Sequence, residues 1–198
     1  MAALETKPPK RSKLLWVVLG LWAAVILGAA VIFALDKLGL LSLSDMTQPQ
    51  VFEAGEAPQV GQPAPLFEVA GLDGKMVSLA GYKGRVVVLN FWATWCGPCV
   101  REMPMFQKAA SQYASEMVVL GIDMQESANK VRSFMADLDI QYDILIDQSG
   151  QVGKAYQVFM LPTTYFIGAD GLIQAHHIGI MTEDQLAIYL SQAGVGVK

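Results

Sequence analysis

Arg85-Val86-Val87-Val88-Leu89-Asn90-Phe91-Trp92-Ala93-Thr94-Trp95-Cys96-Gly97-Pro98-Cys99 is the stretch on which the fold turns, and it carries both cysteines of the 198-residue chain. Its first half is apolar and rich in β-branched residues, the composition of a buried strand. Its second half changes character. Pro98, with Val100-Arg101-Glu102-Met103 following, reads as the first turn of a helix, where a missing N–H costs nothing. The cysteines therefore stand where a strand becomes a helix, and a thiolate at Cys96 faces the positive end of the helix dipole. That placement lowers a cysteine pKa from about 8.5 toward about 7 or below. Two thiols three positions apart can open and close a disulfide, so the pair reads as a thiol–disulfide exchange centre.

Other readings of the pair fit less well. A structural bridge gains most when it closes a long loop, and a four-residue loop removes little unfolded-state entropy. A zinc site needs about four ligands. The chain offers two cysteines and, far along the sequence, His176 and His177. Those histidines are adjacent on an expected strand, so their side chains point to opposite faces and do not share a metal easily. Met103 and Met105 invite a copper(I) reading through soft thioether ligands, against the more ordinary one of core filling. The expectation is no metal and no cofactor beyond the Cys96–Cys99 disulfide itself.

The chain's apolar character is concentrated at its start. Leu14 to Leu35 is an uncharged run of 22 residues, which as a helix spans roughly 33 Å and matches a bilayer core. Lys7, Lys10, Arg11 and Lys13 precede it, which places the N-terminus in the cytoplasm and the rest across the membrane. A cleaved signal peptide shares the basic start, but its apolar region is about 7 to 15 residues and an A-x-A site is expected after it. None follows Leu35, so the segment reads as an uncleaved signal-anchor. Without Lys7, Lys10, Arg11, Lys13 and Glu5 the remainder holds 10 basic and 17 acidic residues, a net of −7. With no basic cluster, a nucleic-acid partner is excluded.

The expected organisation is a cytoplasmic basic segment at 1–13, a transmembrane anchor at 14–35, a polar linker at 36–59 and a folded domain at 60–198. Leu66–Val69 and Met76–Leu79 flank Gly71-Leu72-Asp73-Gly74, a strand–turn–strand signature that predicts a hairpin leading into the central sheet. Arg85–Phe91 is the strand before the cysteines, and Pro98 to about Ala114 is a helix that Pro104 should kink. Met117–Ile122 follows as a strand, Ser127–Leu138 as a helix, Asp143–Ile146 as a strand and Val152–Tyr156 as a short helix. This alternation implies parallel strand pairs. Thr163–Ile167 and Leu172–Ile178 form a hairpin across Gly168–Gly171. Thr182 with Gln185 makes a capping box that opens a last helix, running to about Gln192.

Phe91-Trp92-Ala93-Thr94-Trp95-Cys96-Gly97-Pro98-Cys99, Pro104, Leu161-Pro162-Thr163-Thr164 and Ala169-Asp170-Gly171 together resemble the thioredoxin superfamily over roughly residues 60 to 198. Val60-Gly61-Gln62-Pro63-Ala64-Pro65, the hairpin, the extra helix and strand between Glu126 and Asp147, and the anchor are similar to its TlpA/ResA-like, redoxin-related branch. The resemblance implies an α/β thioredoxin-like fold: a central mixed β-sheet flanked by helices, with an N-terminal hairpin extension and one transmembrane helix. It also implies a bacterial, single-pass inner-membrane protein whose catalytic domain faces the periplasmic side, acting on exported protein thiols such as apocytochrome c in cytochrome c biogenesis. A membrane-embedded dithiol carrier would supply electrons from upstream.

Carried onto this chain, the resemblance makes Cys96 the attacking thiol and Cys99 the resolving thiol. Pro162 becomes a cis-proline facing them. Leu161, Pro162 and Thr163, with Trp95, Gly97 and Pro98, become the surface on which a substrate segment rests. Glu102 matches an acidic position that influences proton transfer, while a first-turn acid stabilising the helix dipole is the alternative. Asn90 stands where cytoplasmic thioredoxins commonly carry a buried aspartate, so Glu102 or water must take over that proton chemistry. The Gly-Pro pair between the cysteines is shared with reducing thioredoxins near −270 mV, which favours a disulfide reductase. A disulfide-introducing oxidant and a non-enzymatic copper or thiol chaperone are the alternatives. A peroxidase wants Pro and Thr seven and three positions before the reactive cysteine, where this chain has Leu89 and Ala93.

Overall fold

The computed structural model describes residues 20–23, 26–28 and 57–196, and the chain divides into two units, Met1–Val51 and Phe52–Lys198. In the first unit the described residues are helical and exposed. Among the described residues no helix is long and apolar enough to cross a membrane. The rest of the expected 14–35 anchor, the 1–13 segment and most of the 36–59 linker lie outside the described residues.

The second unit opens with an antiparallel hairpin of β1 (Glu68–Ala70) and β2 (Met76–Ser78), turned at Gly74 with φ +82°. Glycine fits there because L side chains rarely adopt positive φ. The hairpin stands as the expected extension, a separate two-stranded sheet ahead of the central one. A single bridge, Gly71 with Leu145, and the Leu72 N–H donating to the Ile144 carbonyl at 3.0 Å fasten it to the main sheet's edge. That edge is β5, whose open backbone groups the hairpin covers.

A 3₁₀ turn (Leu79–Tyr82) leads to β3 (Val86–Trp92), α1 (Gly97–Gln112), β4 (Met117–Met124), α2 (Ala128–Met135), β5 (Asp143–Asp147) and α3 (Gln151–Ala155). The chain closes with β6 (Thr163–Ile167), β7 (Ile173–Ile178) and α4 (Glu183–Gln192). The sheet order is β5-β4-β3-β6-β7, with β3, β4 and β5 mutually parallel, β6 antiparallel to β3 and β7 antiparallel to β6, a mixed sheet in the thioredoxin-like arrangement.

All seven residues of β3 are buried because the strand has a core on each side. Val86, Val88 and Trp92 face Met103, Phe106 and Ala109 of α1 and Leu186 and Leu190 of α4. Val87, Leu89 and Phe91 pack instead with Val152 of α3 and Tyr156 at its C-terminal end. The expected helix boundaries move inward at α2, which stops at Met135 rather than Leu138. Asp137 and Asp139 follow, and negative charge at a helix C-terminus opposes the dipole. Helix α1 continues through Pro104, which lies on its exposed side. The Thr182–Gln185 capping box is present in both directions.

Candidate active site

The site grows from the end of β3. After Trp92 the backbone turns, with the Cys96 N–H donating to the Ala93 carbonyl at 3.0 Å, and Cys96 becomes the N-cap of α1. Its sulfur accepts the Cys99 N–H at 3.3 Å, so a free donor of the helix's first turn points at the sulfur that needs charge stabilisation. Cys96 and Cys99 are joined as a disulfide with Cα atoms 5.3 Å apart. Cys96 retains 5% of its surface and Cys99 none, so an incoming partner meets Cys96 first.

Trp95 and Gly97 are exposed beside Cys96, and Pro98 is half-buried. The Leu161–Pro162 bond is cis. Register carries it to the site: Phe91 of β3 pairs with Thr163 of β6, so Leu161 and Pro162 lie at the same sheet end as the cysteines. The Thr163 hydroxyl donates to the Met160 carbonyl at 2.7 Å, tying down the loop that bears them. Phe159 and Met160 in that loop are exposed, as are Ile178 at the end of β7 and Ile180 beyond it, so apolar surface gathers at this end.

Glu102 is buried, with 2% of its surface exposed, and is no surface acid of a first helical turn. It lies one turn after Cys99, and its carboxyl accepts Asn90 Nδ2 at 2.9 Å and the Met181 N–H at 3.3 Å. Burial pushes its pKa from 4.5 up to about 7, against the opposing pull of those two donors. Asn90 spends its second amide hydrogen on Thr164 Oγ1 at 2.9 Å. Tyr142 lies in the same buried layer, where burial and then the Glu102 charge hold its phenol well above the usual range. Met103 fills the core under α1. His176 stacks on Tyr165 with ring centres 5.6 Å apart, while His177 Nδ1 lies 3.2 Å from the Tyr189 hydroxyl, so the two histidines serve different surfaces.

A carboxyl pair near the cysteines escaped the sequence reading. Glu126, just before α2, accepts the Thr94 N–H at 2.6 Å and the Thr94 hydroxyl at 2.8 Å, and pairs with Lys130 one turn on. Asp123, wholly buried at the end of β4, is pushed up to about 7 by burial first and then by Glu126. Burial pushes Glu126 the same way, but Lys130, Thr94 and Asp123 outweigh it and hold its pKa below the usual value. Neither Asp123 oxygen makes a well-formed hydrogen bond, and Glu126 is the group that faces them. The available signal was position, since ligand-facing groups in parallel sheets gather at the C-terminal ends of strands.

A profile of the AhpC/TSA family matches residues 60–176. The thioredoxin-like protein YneN of Bacillus subtilis is 40% identical over 131 residues, 65% of this chain and 76% of that one. The thiol-disulfide oxidoreductase ResA of Bacillus cereus is 36% identical over 142 residues, covering 71% and 82% of the two chains. The crystal structure of the exposed lipoprotein thioredoxin of Streptococcus pneumoniae superposes with a TM-score of 0.60 at 31% identity, over 65% of this chain and 99% of that one.

Proposed function

Because the chain belongs to the AhpC/TSA, thioredoxin-like family and is a thiol–disulfide oxidoreductase, we propose that it is a membrane-tethered, extracytoplasmic disulfide reductase acting on thiols of exported proteins, apocytochrome c among them. The observation that carries the reading is the Cys96–Cys99 pair at the N-terminus of α1, with the outer sulfur accessible and held against a helix donor.

In the reductive direction the Cys96 thiolate attacks one sulfur of the partner's disulfide. The partner's other sulfur leaves as a thiolate, and a Cys96–partner mixed disulfide remains. Cys99 then loses its proton and attacks the Cys96 sulfur. The partner leaves fully reduced, and two electrons have passed from the Cys96–Cys99 dithiol, which ends as the disulfide. Glu102, buried beside Asn90 on the same helix as Cys99 and titrating at about 7, is the group we assign to accept the Cys99 proton. Trp95, Gly97, Pro98, Leu161, Pro162 and Thr163 hold the partner segment at the same sheet end.

The anchor at 14–35 and the preceding basic residues support the topology. A reductant on that side must be recharged, so its upstream partner is a membrane-embedded dithiol carrier. Replacing Cys99 by Ser tests the reading. The variant should accumulate disulfide-linked complexes with exported proteins that dithiothreitol dissolves, and a Cys96→Ser variant should form none. The absence of such complexes in the Cys99→Ser strain, or a Cys96–Cys99 pair still reduced in cells lacking every dithiol carrier, contradicts it.

A further inference from the structure

We propose that Glu126 is a positioning residue for the exchange reaction: its carboxylate grips the turn that carries Cys96 and fixes the direction in which the attacking sulfur points. This rests on the reading of Cys96–Cys99 as an exchange centre. Ala93-Thr94-Trp95-Cys96 is a β-turn closed by the Cys96 N–H to the Ala93 carbonyl. In such a turn the N–H of the second residue is left outside the turn's own hydrogen bond. Here that residue is Thr94, and its N–H and its hydroxyl end on the two oxygens of one carboxylate, at 2.6 and 2.8 Å.

The grip comes from a separate element. Glu126 sits in the connection from β4 to α2, its surface 7% exposed, so the two hydrogen bonds are shielded from competing water. Bonds to an ionised acceptor are about twice as strong as neutral ones. Lys130 pairs with the same carboxylate from one turn along α2 and favours its charged form. The residue before it, Gln125, is held at φ +62°, in the left-handed region that side chains disfavour, while its N–H donates to the Asp147 carbonyl at 3.1 Å. A backbone outlier of this kind persists only where surrounding contacts over-determine it. The β4–α2 connection is thus fixed to β5 on one side and to the redox turn on the other.

The chemical consequence follows from the geometry of exchange. Thiolate attack requires the three sulfurs to align, and a misplacement of about 1 Å can cost on the order of 100-fold in rate. Alkylation by a small reagent such as iodoacetamide accepts many approach directions. Losing the grip should therefore slow exchange far more than alkylation, whereas loss of a merely stabilising contact lowers the melting temperature and leaves both rates alone below it.

The test compares Glu126→Ala, Glu126→Gln, Thr94→Val and Thr94→Ser in the full chain. Exchange with a protein disulfide and alkylation of Cys96 by iodoacetamide are each corrected to the thiolate fraction taken from the alkylation pH profile. Glu126→Ala should lower the exchange rate constant about tenfold and change alkylation less than about twofold. Glu126→Gln keeps an acceptor for the Thr94 N–H and an amide that the Thr94 hydroxyl can accept from, so its exchange should stay within about threefold of the parent. Thr94→Val, which loses one of the two bonds, should fall between, and Thr94→Ser should match the parent. The Thr94 pair decides the matter if Glu126→Ala does not fold. Equal exchange in all folded variants, or exchange and alkylation falling together, overturns the positioning role. Absence of exchange in the parent protein would instead defeat the reading it rests on.

Discussion

Glu102→Gln should change how stability depends on pH. The carboxyl titrates at about 7 in the folded chain against 4.5 when free, because burial disfavours its charge. Between those values the folded state holds a proton that the unfolded chain has released. Stability from this group is therefore full below about pH 4.5, falls as pH rises through about 7, and is level above it. At about 1.36 kcal/mol per unit, the full effect is about 3 kcal/mol, of which about 2.5 kcal/mol is lost between pH 5 and pH 9. Gln is neutral throughout and removes this slope. It also turns an NH₂ toward either Asn90 Nδ2 or the Met181 N–H, the two donors that Glu102 accepts. That mismatch costs about 1–3 kcal/mol at every pH. The variant should thus be less stable than the parent at pH 5 and equal or more stable at pH 9. Urea unfolding of the oxidised chain at both pH values, followed by tryptophan fluorescence, measures the difference. Profiles parallel to within about 0.5 kcal/mol would refute the assignment of Glu102 as a buried, proton-holding group.

Three further outcomes follow from the packing and the charges. Asp123→Asn should remove a second slope in the same pH window, since burial raises Asp123 to about 7; the variant should gain on the parent by up to about 4 kcal/mol between pH 4 and pH 9 in the same unfolding assay. Gly121→Ala should destabilise the fold by about 1–3 kcal/mol in thermal unfolding, because its Cβ would meet Ile144 Cδ1 at 2.9 Å and Trp92 Nε1 at 3.2 Å. Trp95→Ala should raise the KM for a protein disulfide about fivefold with little change in kcat, since the ring is exposed beside Cys96 and is part of the proposed partner surface.

Much of the fold was legible because it is written locally. The apolar run of β3, the Pro98 helix start and the Thr182–Gln185 capping box each depend on a few adjacent residues, and each reappears in the structure. The cis Leu161–Pro162 bond came from family resemblance alone, since X-Pro composition favours trans. Where the hairpin fastens to the main sheet was not legible, because it depends on the contact of Gly71 with Leu145 far along the chain. Glu102 left two readings open in the sequence. Its burial was not legible because one of its partners, the Met181 N–H, comes 79 residues later. Glu126 and Thr94 were silent for the same reason: 32 residues separate them, and neither has a local pattern that announces the other.

The reduction potential of the Cys96–Cys99 pair tests the proposed reductase most directly. The full chain would be equilibrated in dithiothreitol or glutathione redox buffers and read by tryptophan fluorescence, since Trp95 adjoins Cys96. A potential of about −250 mV or lower is the predicted result, that of a reductant which must be recharged from the membrane. A potential nearer about −120 mV would contradict it, making the protein an oxidant and reversing the electron flow.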